Sequence, residues 1–222
     1  EITVRDWSSD VCSSDLNDWA RKRISSSLSF AIADIGSSAS NRIILGLYSD
    51  PRVRSFIQEK SISYPQHLGE QGYILEVLHE DKTILIVGNT EQGIFYGVQT
   101  FLQLLADDGS IEIISIRDWP SNQMRGFVIN NVNNPLFFKG NLYKSPAPEV
   151  GIFTQEQKDY IDKLSNWKIN VLQYDDRCAD FFRGPEYLEP YKELRDYLAQ
   201  RFISFIPRIG TLKTVTGLPF FL

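Results

Sequence analysis

The stretch "NTEQGIFYGVQTFLQLLADDGS" (Asn89 to Ser110) decides the fold of the first half of the chain. Asn89 or Thr90 can cap a helix, and apolar residues then recur on one helical face: Ile94, Val98, Phe101, Leu102 and Leu105. Gly93 and Gly97 match no phosphate-binding or dinucleotide spacing. We therefore predict an amphipathic helix whose glycines allow close packing against a sheet, rather than a phosphate cradle.

Strands are predicted on both sides of this helix. "NRIILGLYSD" (residues 41–50) is a short apolar run that ends in a turn signal, and Pro51 opens a further helix. "GYILEVLHE" and "KTILIVGN" (residues 72–80 and 82–89) are predicted to form an antiparallel hairpin. Gly109 is predicted to end the central helix, and "IEIISIRDWP" (residues 111–120) to form another strand. Residues 17–118 are thus predicted to be a small α/β domain.

In the second half, strands and helices alternate. The strands are predicted in "MRGFVIN", "INVLQYD" and "FISFIPRIG" (residues 124–130, 169–175 and 202–210). The helices are predicted in "QEQKDYIDKLSNWK", capped by Thr154, and in "EPYKELRDYLAQR" (residues 189–201). Strict alternation with crossover connections indicates a parallel sheet built from right-handed βαβ units.

The segment before residue 17 is treated separately. "DWSSDVCSSDL" (residues 6–16) repeats Ser-Ser-Asp, and it resembles a sequencing adapter translated in frame. We therefore treat residues 1–16 as a non-native leader and exclude them from fold reasoning. Without them, 24 acidic and 22 basic residues remain, which changes the formal net charge from −5 to −2.

This composition limits the classes of partner. A charge balance near zero does not suggest binding to nucleic acid or to an anionic membrane surface. No apolar run approaches the roughly 18 residues of a membrane span. Cys178 is the one cysteine outside the leader, so no intrachain disulfide is expected. We expect neither a cofactor nor a metal site.

Three stretches carry a resemblance to a known family. "GYILEV", "ILIVGNTEQGIFYGVQTFLQLL" and "IRDWPSNQMRGF" together resemble the domain junction of glycoside hydrolase family 20, the β-N-acetylhexosaminidases. "WKINVLQYD" and "FISFIPRIG" resemble the second and third strands of its barrel. The resemblance implies an α/β chain with a small α+β accessory domain, zincin-like and of hexosaminidase type, over residues 17–118. Residues 119–222 are then the truncated start of a (β/α)₈ TIM barrel, with about three strands.

The resemblance also implies an activity. The family hydrolyses terminal N-acetylhexosamine by a retaining mechanism in which the acetamido group of the substrate attacks the anomeric carbon. An Asp-Glu pair after the fourth barrel strand assists it, so we expect no catalytic residue in this chain and no hydrolysis by it alone. The expected partner is a glycan that carries N-acetylhexosamine, and the expected location is periplasmic or extracellular.

Three residues are candidates for substrate binding. Arg125 corresponds to a family arginine that hydrogen-bonds sugar hydroxyls, and the alternative is a salt bridge at the base of the barrel. Asp175 and Asp176 follow the second strand, and the alternative is a solvated loop paired with Arg177. Trp119 and Trp167 could stack on sugar, although Trp167 lies on the apolar helix stripe and is expected in the core. His67 and His79 are expected at the surface.

The chain departs from the family pattern at the ends of the barrel strands. Asn130 stands where the family has aspartate, Gln173 and Tyr174 replace a His-containing segment, and Arg208 replaces glutamate. Two other glycosidase classes therefore stay open, namely enzymes like those of family 84 and α-glucuronidases. A non-catalytic carbohydrate-binding scaffold is a further alternative.

Overall fold

The computed structural model describes residues 19–20, 22–23, 42–107, 109–129, 153–174 and 189–207. The chain divides into two compact units, residues 1–123 and 124–222. The first unit contains β1 (Arg42–Leu47), α1 (Pro51–Glu59), β2 (Tyr73–Leu78), β3 (Thr83–Gly88), α2 (Glu91–Leu104) and β4 (Ser115–Asp118). The second contains β5 (Gly126–Ile129), α3 (Gln155–Asn166), β6 (Val171–Tyr174), α4 (Glu189–Ala199) and β7 (Ser204–Pro207).

The first unit is built on a four-stranded mixed sheet with the order β1-β3-β2-β4. The predicted hairpin is confirmed, because β2 and β3 pair antiparallel from Tyr73 opposite Gly88 to Leu78 opposite Thr83. β1 pairs parallel to β3, and β4 pairs antiparallel to β2. Side chains on both faces of the central strands are buried, so helices or loops cover the sheet on each side.

The α2 helix packs on one face of this sheet as predicted. The Thr90 side chain caps the helix by accepting a hydrogen bond from the Gly93 amide. A Cβ at Gly97 would collide with the Ile86 side chain and press on the Tyr73 ring. The glycine spacing therefore serves close contact between helix and sheet, and the packing interpretation of the sequence is confirmed.

Two details of α2 differ from the prediction. The helix ends at Leu104 because Leu105 is already extended, and Gly109 lies beyond it with φ +79°. The helix is also buried on more than one side, since Phe95 and Tyr96 are buried together with the apolar stripe. The Trp19 ring lies 4.3 Å from the Phe95 ring, so helical residue 19 covers part of that second side.

The second unit is built on a three-stranded parallel sheet with the order β5-β6-β7, as the alternation of elements predicts. One face carries the core, in which α3 and α4 pack against the sheet. Its buried residues are Ile129, Phe153, Ile161, Leu164, Leu172, Tyr174, Tyr191, Leu194, Leu198 and Ile203. Thr154 begins α3 with a capping box to Gln157, which confirms the predicted cap.

The opposite face of the parallel sheet is open in the described part of the chain. Strand residues alternate between faces, and those that point away from the helices are more exposed than their neighbours. Val128 and Ile206 expose 44% and 41% of their surface, and Gly126 and Ser204 are also exposed. Among the described residues, helices thus cover one face of this sheet.

The contact of α2 with the sheet yields a stability prediction. Gly97→Ala should lower the free energy of unfolding by about 1–3 kcal/mol, because overpacking outweighs the better helix propensity of alanine. Ile86→Ala removes the methyl group that a Cβ at Gly97 would meet. Urea unfolding of the single and double variants measures the coupling. The double variant should lose less than the two single losses together, and strict additivity would contradict this packing.

Candidate functional site

The carboxyl ends of the three parallel strands form one even edge. Ile129 lies opposite Tyr174, which in turn lies opposite Pro207. Parallel sheets with helical crossovers bind their ligands at this edge. Asp175 and Asp176 follow Tyr174 directly in the sequence and lie outside the described residues, so their contact with substrate stays a prediction.

Aromatic packing fixes the last residue of β6. Tyr174 is buried, and its ring meets the Tyr191 ring edge-on at 5.6 Å. The Phe205 ring lies 6.0 Å away on the next strand. These ring contacts hold the strand residue that directly precedes Asp175 in the sequence.

Gln173 is a candidate that the sequence analysis did not identify as a site residue. Its neighbours Leu172 and Tyr174 are buried on the helix side, so its side chain lies on the open face. In register it stands between Val128 and Ile206. The alternation within "NVLQYD" could have placed it on that face, but the sequence alone does not show which face the helices cover.

Arg125 directly precedes β5, at the amino edge of the parallel sheet. Its Nε donates a hydrogen bond to the Lys168 carbonyl at 3.0 Å. Its amide donates to Asn170 Oδ1 at 2.7 Å, and its carbonyl accepts from the Asn170 amide at 2.8 Å. This geometry favours an anchoring role at the base of the sheet, and the sugar contact of Arg125 stays a prediction.

Asn170 connects all three strands at that base. It is buried, it bonds Arg125 before β5, and its carbonyl accepts from the Ser204 amide at 2.8 Å. The sequence analysis missed this role because a short polar residue next to a predicted strand does not reveal its partners. Asn170 therefore holds the register that makes the carboxyl edge even.

A cluster of charged side chains lies between α3 and α4. Arg201 Nε bonds Asp162 Oδ1 at 2.5 Å, and the Arg201 guanidinium lies 3.4 Å from the Tyr197 ring centroid. The Tyr197 hydroxyl donates to the same Asp162 oxygen at 3.1 Å. Burial raises the pKa of Tyr197 to about 12. Since Asp162 and Arg201 lie toward the amino edge of the sheet, we assign this cluster to stability.

The predicted surface position of two histidines is confirmed by the structure, and the predicted burial of one tryptophan is wrong. Trp167 is 71% exposed, so its prediction as a core residue is wrong. It is the C-cap of α3, and the chain turns away at Lys168 with φ +57°. His67 and His79 are exposed as predicted. The His67 ring stands edge-on to the half-exposed Trp119 ring at 4.5 Å.

The sheet of the first unit also has a carboxyl edge, at β1 and β3. A Cβ at Gly46 would meet Val53 of α1, and Gly46 pairs with Val87, so Val87 lies on the face that α1 covers. The neighbouring Ile86 points to the other face, where it meets α2 at Gly97. The two helices therefore cover opposite faces. Where the helices that follow two neighbouring parallel strands lie on opposite faces of the sheet, a ligand-binding crevice usually opens at the carboxyl ends of these strands. Here the Tyr64 ring stacks on Tyr48 at 3.7 Å, and its hydroxyl bonds Asn89 Oδ1 at 2.7 Å. The chain thus fills this position itself.

Among the described residues, no group of three or more histidine, cysteine, aspartate or glutamate side chains could hold a metal ion. No helix within the described ranges is long and apolar enough to cross a membrane.

Comparison with known proteins identifies the family. The family model "Glycosyl hydrolase family 20, domain 2" matches residues 3–119, more than half of the 222 residues. The chain belongs to glycosyl hydrolase family 20. The match starts inside residues 1–16, so the assignment of that segment as a non-native leader stays a prediction.

The matches to two known proteins extend beyond the first unit of this chain. A β-hexosaminidase of Porphyromonas gingivalis (strain ATCC BAA-308 / W83) is 25% identical over 164 residues, which cover 64% of this chain and 20% of that protein. The solved structure of CpGH84B matches with a TM-score of 0.52 at 23% identity, covering 70% of this chain and 26% of that chain. The chain thus spans about a fifth to a quarter of the length of these relatives.

The base of the parallel sheet gives a test of the role of Arg125. Arg125→Ala should lower the free energy of unfolding by about 1 kcal/mol, because a charge-assisted hydrogen bond to the Lys168 carbonyl is lost. Asn170→Ala should cost about 1–3 kcal/mol, because it leaves the Arg125 amide without its side-chain acceptor. Urea unfolding measures both. Unchanged stability of Arg125→Ala, with a raised KM in the full-length protein, would instead support the sugar contact.

The Tyr197 phenol gives a pH prediction. Its folded pKa exceeds the ordinary value of 10.0, so the folded state holds its proton more tightly than the unfolded state does. This contribution to stability is present below pH 10 and should be lost as the pH rises toward 12. Chemical unfolding of Tyr197→Phe should therefore show a shallower decline of stability over that range than the wild type. Equal declines in the two proteins would contradict the assignment.

Proposed function

We propose that the full-length protein is a glycosidase that removes terminal N-acetylhexosamine from glycans. Family membership and the similarity to the Porphyromonas β-hexosaminidase support this activity. Because this chain spans a fifth of that relative, the activity belongs to the longer protein. By family resemblance we also propose a periplasmic or extracellular location.

The observation that carries the proposal is the open face of the parallel sheet. Parallel sheets with helical crossovers are covered on both faces in known folds, whereas β5, β6 and β7 have helices on one face and exposed Val128 and Ile206 on the other. We propose that the three strands begin a (β/α)₈ barrel, whose remaining strands close over this face. The first unit then serves as a zincin-like accessory domain.

In the proposed mechanism the acetamido oxygen of the substrate attacks the anomeric carbon. An Asp-Glu pair after the fourth barrel strand orients that group and protonates the leaving oxygen. Its acid must stay protonated near neutral pH, which requires burial or a neighbouring negative charge. Asp175 and Asp176 would contact sugar at the carboxyl edge, and Arg125 would reach sugar hydroxyls if it leaves its bond to the Lys168 carbonyl. The 222-residue chain alone would not hydrolyse glycosides.

A family 84-like glycosidase is the second candidate. The fold similarity to CpGH84B favours it, since the match covers 70% of this chain. The adjacent carboxylates Asp175 and Asp176 also suit it. An Asp-Glu pair after a fourth strand would favour the family 20 activity. An α-glucuronidase-like enzyme or a non-catalytic carbohydrate-binding scaffold would lack that pair.

The activity can be tested with two aryl glycosides. The full-length protein should release aryl alcohol from an aryl N-acetyl-β-hexosaminide, and the matched aryl β-glucoside should stay intact because it lacks the attacking acetamido group. Asp175→Asn and Asp176→Asn should raise KM roughly tenfold, the loss of about one charged hydrogen bond.

Three results would contradict parts of this proposal. Equal hydrolysis of both glycosides would contradict a substrate-assisted mechanism. Absence of hydrolysis with retained sugar binding would favour the non-catalytic scaffold. Unchanged kinetics in both aspartate variants would remove these residues from the site.

A further inference from the structure

On the open face of the parallel sheet, one row of side chains lies nearest the carboxyl edge. This row consists of Val128, Gln173 and Ile206, which are neighbours in the strand register. The two outer residues are apolar, and the central one is a half-buried carboxamide. In the described part of the chain, no hydrogen-bond partner is seen for the Gln173 side chain.

The location of this carboxamide sets a physical requirement. A glutamine side chain offers two N–H donors and one carbonyl acceptor. If the open face becomes the interior of the proposed barrel, Gln173 is buried between two aliphatic side chains. A buried amide without partners costs about 1–3 kcal/mol. Another group must therefore satisfy it there.

The strand end indicates where that group comes from. Gln173 is the last residue of β6 whose side chain lies on the open face, since Tyr174 turns to the helix side. Only Tyr174, at the carboxyl edge, follows it in β6. A ligand seated at that edge would therefore meet the Gln173 carboxamide before any other polar group of the described β5, β6 and β7 strands on this face.

Resting on the glycosidase function proposed above, we infer that Gln173 is a substrate-binding residue. Its carboxamide hydrogen-bonds a hydroxyl or acetamido group of the sugar at the floor of the site. Val128 and Ile206 flank it and exclude water, which strengthens the hydrogen bond. Gln173 thus discriminates polar sugar substituents, without a part in the proton transfers.

The test compares Gln173→Leu with wild type in the full-length protein. Leucine keeps similar volume and matches the aliphatic row, so the melting temperature should stay unchanged or rise. The value of kcat/KM for an aryl N-acetyl-β-hexosaminide should fall about 10- to 100-fold, the effect of one or two lost hydrogen bonds to substrate. The control is Gln200→Ala, an exposed glutamine beyond α4, which should alter neither quantity.

The outcomes separate this inference from the function on which it rests. Unchanged kcat/KM in Gln173→Leu, with an active wild type, would overturn the inference and leave the glycosidase function intact. A large fall in melting temperature would also overturn it, because the carboxamide would then bond another strand. If the wild type neither hydrolyses nor binds the sugar, the proposed function itself fails.

Discussion

The second unit is governed by the rule that a parallel sheet must be covered on both faces. Its strands are held in even register at their amino ends, where Asn170 bonds Arg125 and Ser204. α3 and α4 satisfy the rule on one face through a contiguous apolar core. On the other face, Val128 and Ile206 are exposed among the described residues. Exposed aliphatic side chains of this kind are a cost in water, and the proposed barrel would remove this cost by burying them.

The first unit meets the same rule differently. α1 and α2 cover opposite faces of its sheet, and Gly97 lets α2 approach closely enough to bury Tyr73 and Ile86. Its position for a ligand is occupied by the Tyr48 and Tyr64 rings. A sheet that has helices on both faces, and aromatic rings where a ligand would bind, is consistent with an accessory role. The substrate contacts proposed above all lie in or directly beside the second unit.

Local signals made much of this fold predictable. Thr90 and Thr154 are caps with a direct hydrogen-bond partner in the next turn, so both helix starts were found. The alternation of apolar side chains predicted the hairpin, and the alternation of strands with helices predicted the parallel sheet. The prediction that Gly109 ends α2 was wrong, because the extended residue Leu105 already ends the helix. Trp167 misled because the helical period was extended past the real end of α3.

The site was harder to predict than the fold. Asp175 and Asp176 are predicted contacts because they follow a strand, which is a local feature, and their role stays a prediction. The anchoring bond of Arg125 depends on the Lys168 carbonyl, 43 residues away in sequence. The importance of Gln173 depends on which face the helices cover. Both are tertiary facts, and no periodicity in a single segment contains them.

The central claim is that the open face of the parallel sheet becomes a buried interior in the full-length protein. Ser204→Cys, on that face near the amino edge, reports this directly in a background with Cys12→Ser and Cys178→Ser. The rate of thiol labelling by a small reagent should be fast in the 222-residue chain and strongly reduced in the full-length protein. Equally fast labelling in both would show that nothing covers this face, and would contradict the barrel.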